Sequence, residues 1–249
     1  MNKNYILVVF EGLLTEKIIF NNLKKYFLNE NSNTIVYGFH CGEIYSLYNK
    51  LEKDEDLELF ALLKEKLKDT NKELENIKRN QVSELYLFFD YDGHARSAND
   101  EKLKYMLQLF NDETSDYGKL YISYPMVEAI KHLKDNVDFK NTIEESKKIY
   151  KSIVAQNCNN NLQHLDKLTF DDWSFIINEN SKKANFIVNN AFTFPTKIIE
   201  QLEIFDNQKT KYLDVANKVS VLSAFPIFLL DYYGVDKFKL TNRKKKIES

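Results

Sequence analysis

Cysteine is scarce in this sequence, and the two present, Cys41 and Cys158, lie far apart without the spacing of a metal-binding pair. They give no disulfide framework and suit a reducing compartment, where they act as plain side chains. An excess of either charge is missing as well: 35 Lys and Arg stand against 37 Asp and Glu, a net charge of −2. The whole chain therefore carries no basic signature, and any nucleic-acid contact must come from local patches. Long apolar runs are also absent. Nothing approaches the roughly eighteen consecutive apolar residues of a transmembrane helix. The apolar run after Met1-Asn2-Lys3-Asn4 is ended early by Glu11, too soon for a signal peptide. These absences point to a cytoplasmic protein with no membrane partner.

What is present is a large apolar inventory. Hydrophobic residues make up 43%, with 18 Phe and 15 Tyr, enough for a sizeable core. A length of 249 residues corresponds to one large domain, or one domain with a smaller appendage. Two apolar runs stand out, Ile6 to Phe10 and Leu85 to Phe89. Both are continuous rather than alternating, as in strands buried on both faces of a parallel sheet. Each ends in acid: Glu11-Gly12 after the first, Asp90-Tyr91-Asp92-Gly93 after the second.

The alternation of patterns predicts strands over 5–10, 34–39, 84–89 and 120–124, the last stopped by Pro125. Helices are predicted over 15–27, 44–52, 100–110 and 127–133. Neither Gly nor Pro occurs between 56 and 79, which predicts one long, exposed, charge-laced helix inserted before the third strand. The fold class is α/β: a mostly parallel four-stranded sheet flanked by helices over 1–138, followed by a mainly helical region over 139–249. In that second region, 141–157 reads as helical. Asp171-Asp172-Trp173 reads as a helix start, and Pro195 and Pro226 as breaks. Internal repeats and flexible linkers are not evident.

Carboxylates at the carboxyl ends of parallel strands lie where open α/β sheets bind ligands. Glu11 alone reads as a solvated loop residue, and Gly12 allows a tight turn and close approach of a ligand. Asp90 and Asp92, at i and i+2, can both reach one cation, and their repulsion favours one. The competing reading is an Asp-rich turn punctuated by Gly. Glu128 follows the fourth strand and could equally favour a helix dipole. Glu16 could line the same cleft or cap the first helix. The oxygen-only donor set suits Mg²⁺ or Mn²⁺ and points to chemistry on a phosphate. His94 reads as solvent-facing, and His40, His132 and His164 show no ligand spacing.

The order Glu11-Gly-x-x-Thr15-Glu16 with Phe20, then Phe89-Asp90-Tyr-Asp92, then Tyr124-Pro125-x-x-Glu128, resembles a Toprim domain. In particular it is similar to the RloB-like and PARIS-type Toprim effectors of bacterial anti-phage defence, over about residues 5–133. The resemblance implies a Toprim-like core and a Mg²⁺-dependent nuclease acting on DNA or RNA, tRNA among the candidates. It implies that Glu11, Asp90 and Asp92 bind metal and carry catalysis, with Glu128 and Glu16 completing or supporting the site. It also implies a toxic effector controlled by an ABC-type ATPase partner, in a homo-oligomer or alone. No Lys or Arg lies within the motif loops to hold phosphate, which suits an effector restrained or completed by a partner.

Two other classes remain open. Phe89-Asp90-Tyr91-Asp92-Gly93 also resembles the first motif of haloacid-dehalogenase-type phosphatases, with Asp90 as nucleophile and Asp92 as general acid. That motif opens its domain and continues with Thr; here it ends the third strand and continues with His94. The other class is a non-catalytic Toprim-fold subunit that binds or regulates a partner.

Overall fold

The structure is a computed structural model that describes residues 4–28, 34–40, 48–50, 58–67, 72–91, 99–135, 137–145 and 149–238. The first apolar run forms strand β1, Asn4–Phe10, and Ile6 to Phe10 are all buried. Helix α1, Thr15–Phe27, follows and buries Ile19, Phe20, Leu23 and Phe27, a helical stripe laid on the sheet. Strand β2, Thr34–His40, pairs parallel to β1. The second apolar run forms β3, Val82–Asp90, parallel to β1 on its other side. The next helix, Asp100–Leu109, is capped by the Asn99 side chain, which accepts from the Glu101 and Lys102 N–H groups. Asp100 sits in its first turn.

Among the described residues the sheet has five strands, not the expected four, in the order β2-β1-β3-β5-β4. The extra strand is β4, Asn111–Asp112, which pairs antiparallel with β5, Gly118–Ser123. Residues 111–117 are almost entirely polar, so no apolar pattern announces a strand there. Polar bonds hold it instead. Asp112 Oδ1 accepts from the Thr114 N–H at 2.8 Å, and Arg79 grips the hairpin through Asp116 Oδ1 (2.8 Å) and the Ser115 carbonyl (3.0 Å). Gly118 has φ +76°, and a side chain there would meet the Leu85 carbonyl at 2.6 Å. Just past the end of β3, the Tyr91 N–H donates to the Ser123 carbonyl at 2.9 Å. Both strands ascend together, so β5 runs parallel to β3.

The single exposed helix expected over 56–79 is not what forms. Its described part makes the helix Leu59–Leu67, the short helix Lys72–Glu75 and a 3₁₀ turn, Arg79–Gln81. Leu59, Phe60, Leu62, Leu63, Leu67, Leu74 and Ile77 are buried. Lys64 Nζ donates to the carbonyls of Glu75 (2.8 Å) and Ile77 (3.0 Å), which closes the second helix and folds the segment back. Charge spacing suggested exposure, whereas the apolar residues between the charges set the burial. Of the helix expected over 44–52, residues 48–50 are helical and the others lie outside the described residues.

The chain divides into two compact units. One comprises Met1–Phe89 with Ala95–Tyr121, the other Asp90–His94 with Ile122–Ser249. The boundary expected near 138 lies inside the second unit. There the helix Phe170–Asn189 buries Trp173, Ile176, Ile177, Ala184 and Ile187 and packs on the helix Ala224–Tyr233. The expected Asp171-Asp172-Trp173 start falls just inside this helix, and Thr169 is the cap: its Oγ1 accepts from the Asp172 N–H, and Asp172 accepts from the Thr169 N–H. It ends at Asn190 in the left-handed region, φ 58°, before Pro195. The stretch 141–157 is not one helix. It holds β6, Ile143–Glu144, paired antiparallel with β7, Val219–Ser220, and then the helix Tyr150–Gln156. Pro226 is not a break either. It lies in the first turn of the helix Ala224–Tyr233, where a missing N–H costs nothing. Among the described residues no helix is long and apolar enough to cross a membrane.

Candidate functional site

The strand order has a reversal, at β1 and β3. From β1 the chain crosses to β2 on one side, then returns to place β3 on the other. The order reverses between β1 and β3, and open α/β sheets bind ligands outside the carboxyl ends at such a point. β1 runs out at Glu11, whose N–H donates to the Phe88 carbonyl of β3 at 3.1 Å. Glu11 is half-buried. The Gly12 N–H donates to Glu16 Oε1 at 2.8 Å, which bends the turn back onto the start of α1. A side chain at Gly12 would strike the Glu16 carboxylate. Glu16, 5% exposed, braces the Glu11-Gly12 turn through this bond.

The second unit holds a polar cluster around Tyr150. After β5 the Tyr124–Pro125 bond is cis, and Tyr124 exchanges backbone hydrogen bonds with Leu222 at 2.8 and 2.9 Å. The expected helix over 127–133 is a shorter 3₁₀ segment, Val127–Lys131. It presents Glu128 inward, 5% exposed. Glu128 Oε1 lies 3.1 Å from Lys151 Nζ, while Oε2 is buried without a hydrogen-bond partner. His132 Nδ1 and the Tyr150 hydroxyl share a 3.0 Å hydrogen bond. Tyr150 is fully buried, and burial, with the charges of Glu144, Glu128 and Asp90, holds its phenol far above the usual range. Asp90, Glu128 and Glu144 thus all bear on one buried hydroxyl, which keeps its proton.

Burial, with the nearby Lys183 charge, pushes His132 down to about 4, so its ring is neutral near neutral pH. Burial likewise pulls Lys183 down to about 7, with Asp138 opposing. Lys183 is fully buried and donates to the carbonyls of Phe139 (2.8 Å), Lys140 (2.7 Å) and Thr142 (3.0 Å). It anchors the segment that leads into β6.

Asp90, half-buried, ends β3, and Asp92 lies outside the described residues, as do Gly93 and His94. Among the described residues no three His, Cys, Asp or Glu side chains gather as a metal cluster. Sequence patterns gave no notice of Tyr150, His132 or Lys151. Tyr150 and Lys151 fall in a stretch that reads as plain helix, and His132 has no ligand spacing. Only the Tyr150–Gln156 helix, packed beside Val127–Lys131, makes them neighbours of Glu128. Comparison of the chain with protein-family models, curated proteins and solved structures gives no match.

Proposed function

We propose that this protein is a Toprim-like, metal-dependent nuclease that hydrolyses phosphodiester bonds in DNA or RNA. The observation that carries this proposal is the pairing of β1 with β3 at the reversal of strand order. It joins the strand that leads into Glu11 to the strand that ends in Asp90. The donor chemistry agrees: Glu11, Asp90 and Asp92 offer carboxylate oxygens alone, suited to Mg²⁺ or Mn²⁺. The orphaned, buried Oε2 of Glu128 fits a site that takes up further positive charge.

By the motif resemblance, Glu11, Asp90 and Asp92 would hold the cation, with Glu128 and Glu16 as supporting carboxylates. A divalent ion bound there supplies a Lewis acid for the phosphoryl oxygens and lowers the pKa of water. In the alternative to metal binding, Glu11 would take the proton of the attacking water or hydroxyl. Glu16 keeps the Glu11-Gly12 turn in place through the Gly12 N–H. Tyr150 stays protonated and hydrogen-bonded to His132, within the electrostatic reach of Glu128. On the motif resemblance alone, we assign the nuclease to anti-phage defence under the control of an ABC-type ATPase.

Purified protein with Mn²⁺ is expected to cleave single- or double-stranded DNA or RNA substrates. Glu11→Ala and Asp90→Ala are each expected to lower that cleavage by at least about 10²-fold, since each removes a metal-binding carboxylate. Undiminished cleavage in both variants would sink the proposal. Trapping of a phosphoaspartate on Asp90 would point instead to the phosphatase class. A chain that binds no Mn²⁺ and keeps its function as Asp92→Asn would be an interaction subunit.

A further inference from the structure

The helix Phe170–Asn189 sends Trp173, Ile176, Ile177, Ala184 and Ile187 into the core of the second unit. Its less buried side carries Lys182 and, one turn on, Phe186, both half-buried. Phe192, also half-buried, follows past the helix end. Its ring meets that of Phe186 edge-on, with centroids 6.4 Å apart at 81°. An amine stands over each ring. Lys140 Nζ lies 4.8 Å from the centre of Phe186, and Lys182 Nζ lies 5.6 Å from that of Phe192. Lys182 is also paired with Glu179 Oε1 at 2.5 Å, whereas Lys140 has no carboxylate partner among the described residues. Contacts thus run in the order Lys140, Phe186, Phe192, Lys182, with two rings between two cations. Lys183 fixes the first member in place by donating to the carbonyls of Phe139 and Lys140.

We propose that this row is a binding surface for single-stranded nucleic acid. Its half-open rings offer apolar surface on which unpaired bases stack, and the amines beside them meet the phosphates. A duplex keeps its bases stacked on one another and would engage the amines alone. An acidic peptide would do the same, so the two rings between the cations favour the single strand. A net charge of −2 means that contact with a polyanion has to come from a local patch such as this one. The surface lies wholly within the second unit. The inference goes beyond the nuclease reading and does not rest on it, because strand binding here needs neither a metal nor cleavage.

The test is fluorescence anisotropy of the full chain with a labelled single strand of about twelve nucleotides, as DNA and as RNA, in EDTA so that no metal-dependent cleavage occurs. Phe192→Leu is expected to weaken binding about 10-fold, the scale of one lost base–ring stack. Lys140→Gln is expected to weaken it about 3-fold and to lower the slope of log affinity against log salt by about 0.7, the loss of one phosphate contact. A duplex of equal length is expected to bind more weakly than the strand and to lose nothing in Phe192→Leu. Thermal melting checks that each variant is folded, and Lys140→Gln keeps the test decisive should Phe192→Leu fail to fold. No strand binding by wild type, or strand binding unchanged in Lys140→Gln, overturns the proposal. A polyglutamate peptide that binds as tightly as the strand would make this an acidic-peptide surface and overturns it too. Intact strand binding beside absent Mn²⁺-dependent cleavage would strike the nuclease reading and leave this surface standing.

Discussion

At the scale of single residues, the buried polar groups of the second unit set measurable behaviour. His132 is depressed to about 4 from 6.5 by burial and by Lys183. Between those values the unfolded chain binds a proton that the folded chain refuses. The stability supplied is complete above 6.5 and is lost as pH falls towards 4, about 3 kcal/mol in full. Urea unfolding at about pH 7 and about pH 4.5 is expected to show this loss in wild type, and a clearly smaller one in His132→Asn. An equal loss in both would remove His132 as its source. Lys183→Met leaves the carbonyls of Phe139, Lys140 and Thr142 without their buried donor. With each orphaned group costing about 1 kcal/mol, a loss of about 3 kcal/mol is expected in the same assay. Gly12→Ala should displace the Glu16 carboxylate and break its bond to the Gly12 N–H. The expected cost is about 1 kcal/mol in stability, with less cleavage in the assay of the proposed nuclease as the turn bearing Glu11 shifts.

At the scale of elements, legibility followed the strength of the local pattern. β1, α1 and β3 were readable because continuous apolar runs and a helical stripe have no other way to bury themselves. The helix start was readable at Asp171-Asp172-Trp173, which fall in its first turns, whereas the cap itself is Thr169, two residues earlier. Thr169→Ala is expected to lower stability by about 1 kcal/mol in thermal or chemical unfolding. β4 was not readable, because side-chain bonds from Asp112 and the distant Arg79 hold it rather than apolar alternation. β6 was read as helix for a similar reason: two residues carry no period, and their partner β7 lies far along the chain. Within 56–79, helix-forming residues concealed a fold-back that Lys64 closes by tertiary hydrogen bonds.

For the molecule as a whole, the proposed metal site would link ion binding to stability. An ion that binds the folded chain alone stabilises it by about 2.7 kcal/mol at one hundred times its dissociation constant. Saturating Mn²⁺ is therefore expected to raise the melting temperature of wild type by several degrees, and EDTA to reverse the rise. Asp90→Asn should melt at the same temperature with and without Mn²⁺. A Mn²⁺-dependent rise that persists in Asp90→Asn would place the ion elsewhere.

The sequence by itself determined the α/β class, the buried parallel strands and the carboxylates that end them. Hydrophobic period and residue type are local properties, and they need no partner to be read. Only the tertiary structure decided the strand order that pairs β1 with β3, and the company Glu128 keeps. Tyr150, His132 and Lys151 meet there because a helix begins beside a 3₁₀ turn some twenty residues earlier in the chain. Such neighbours are fixed by packing of the whole chain, since burial rewards any arrangement that closes the core and leaves no mark in local spacing.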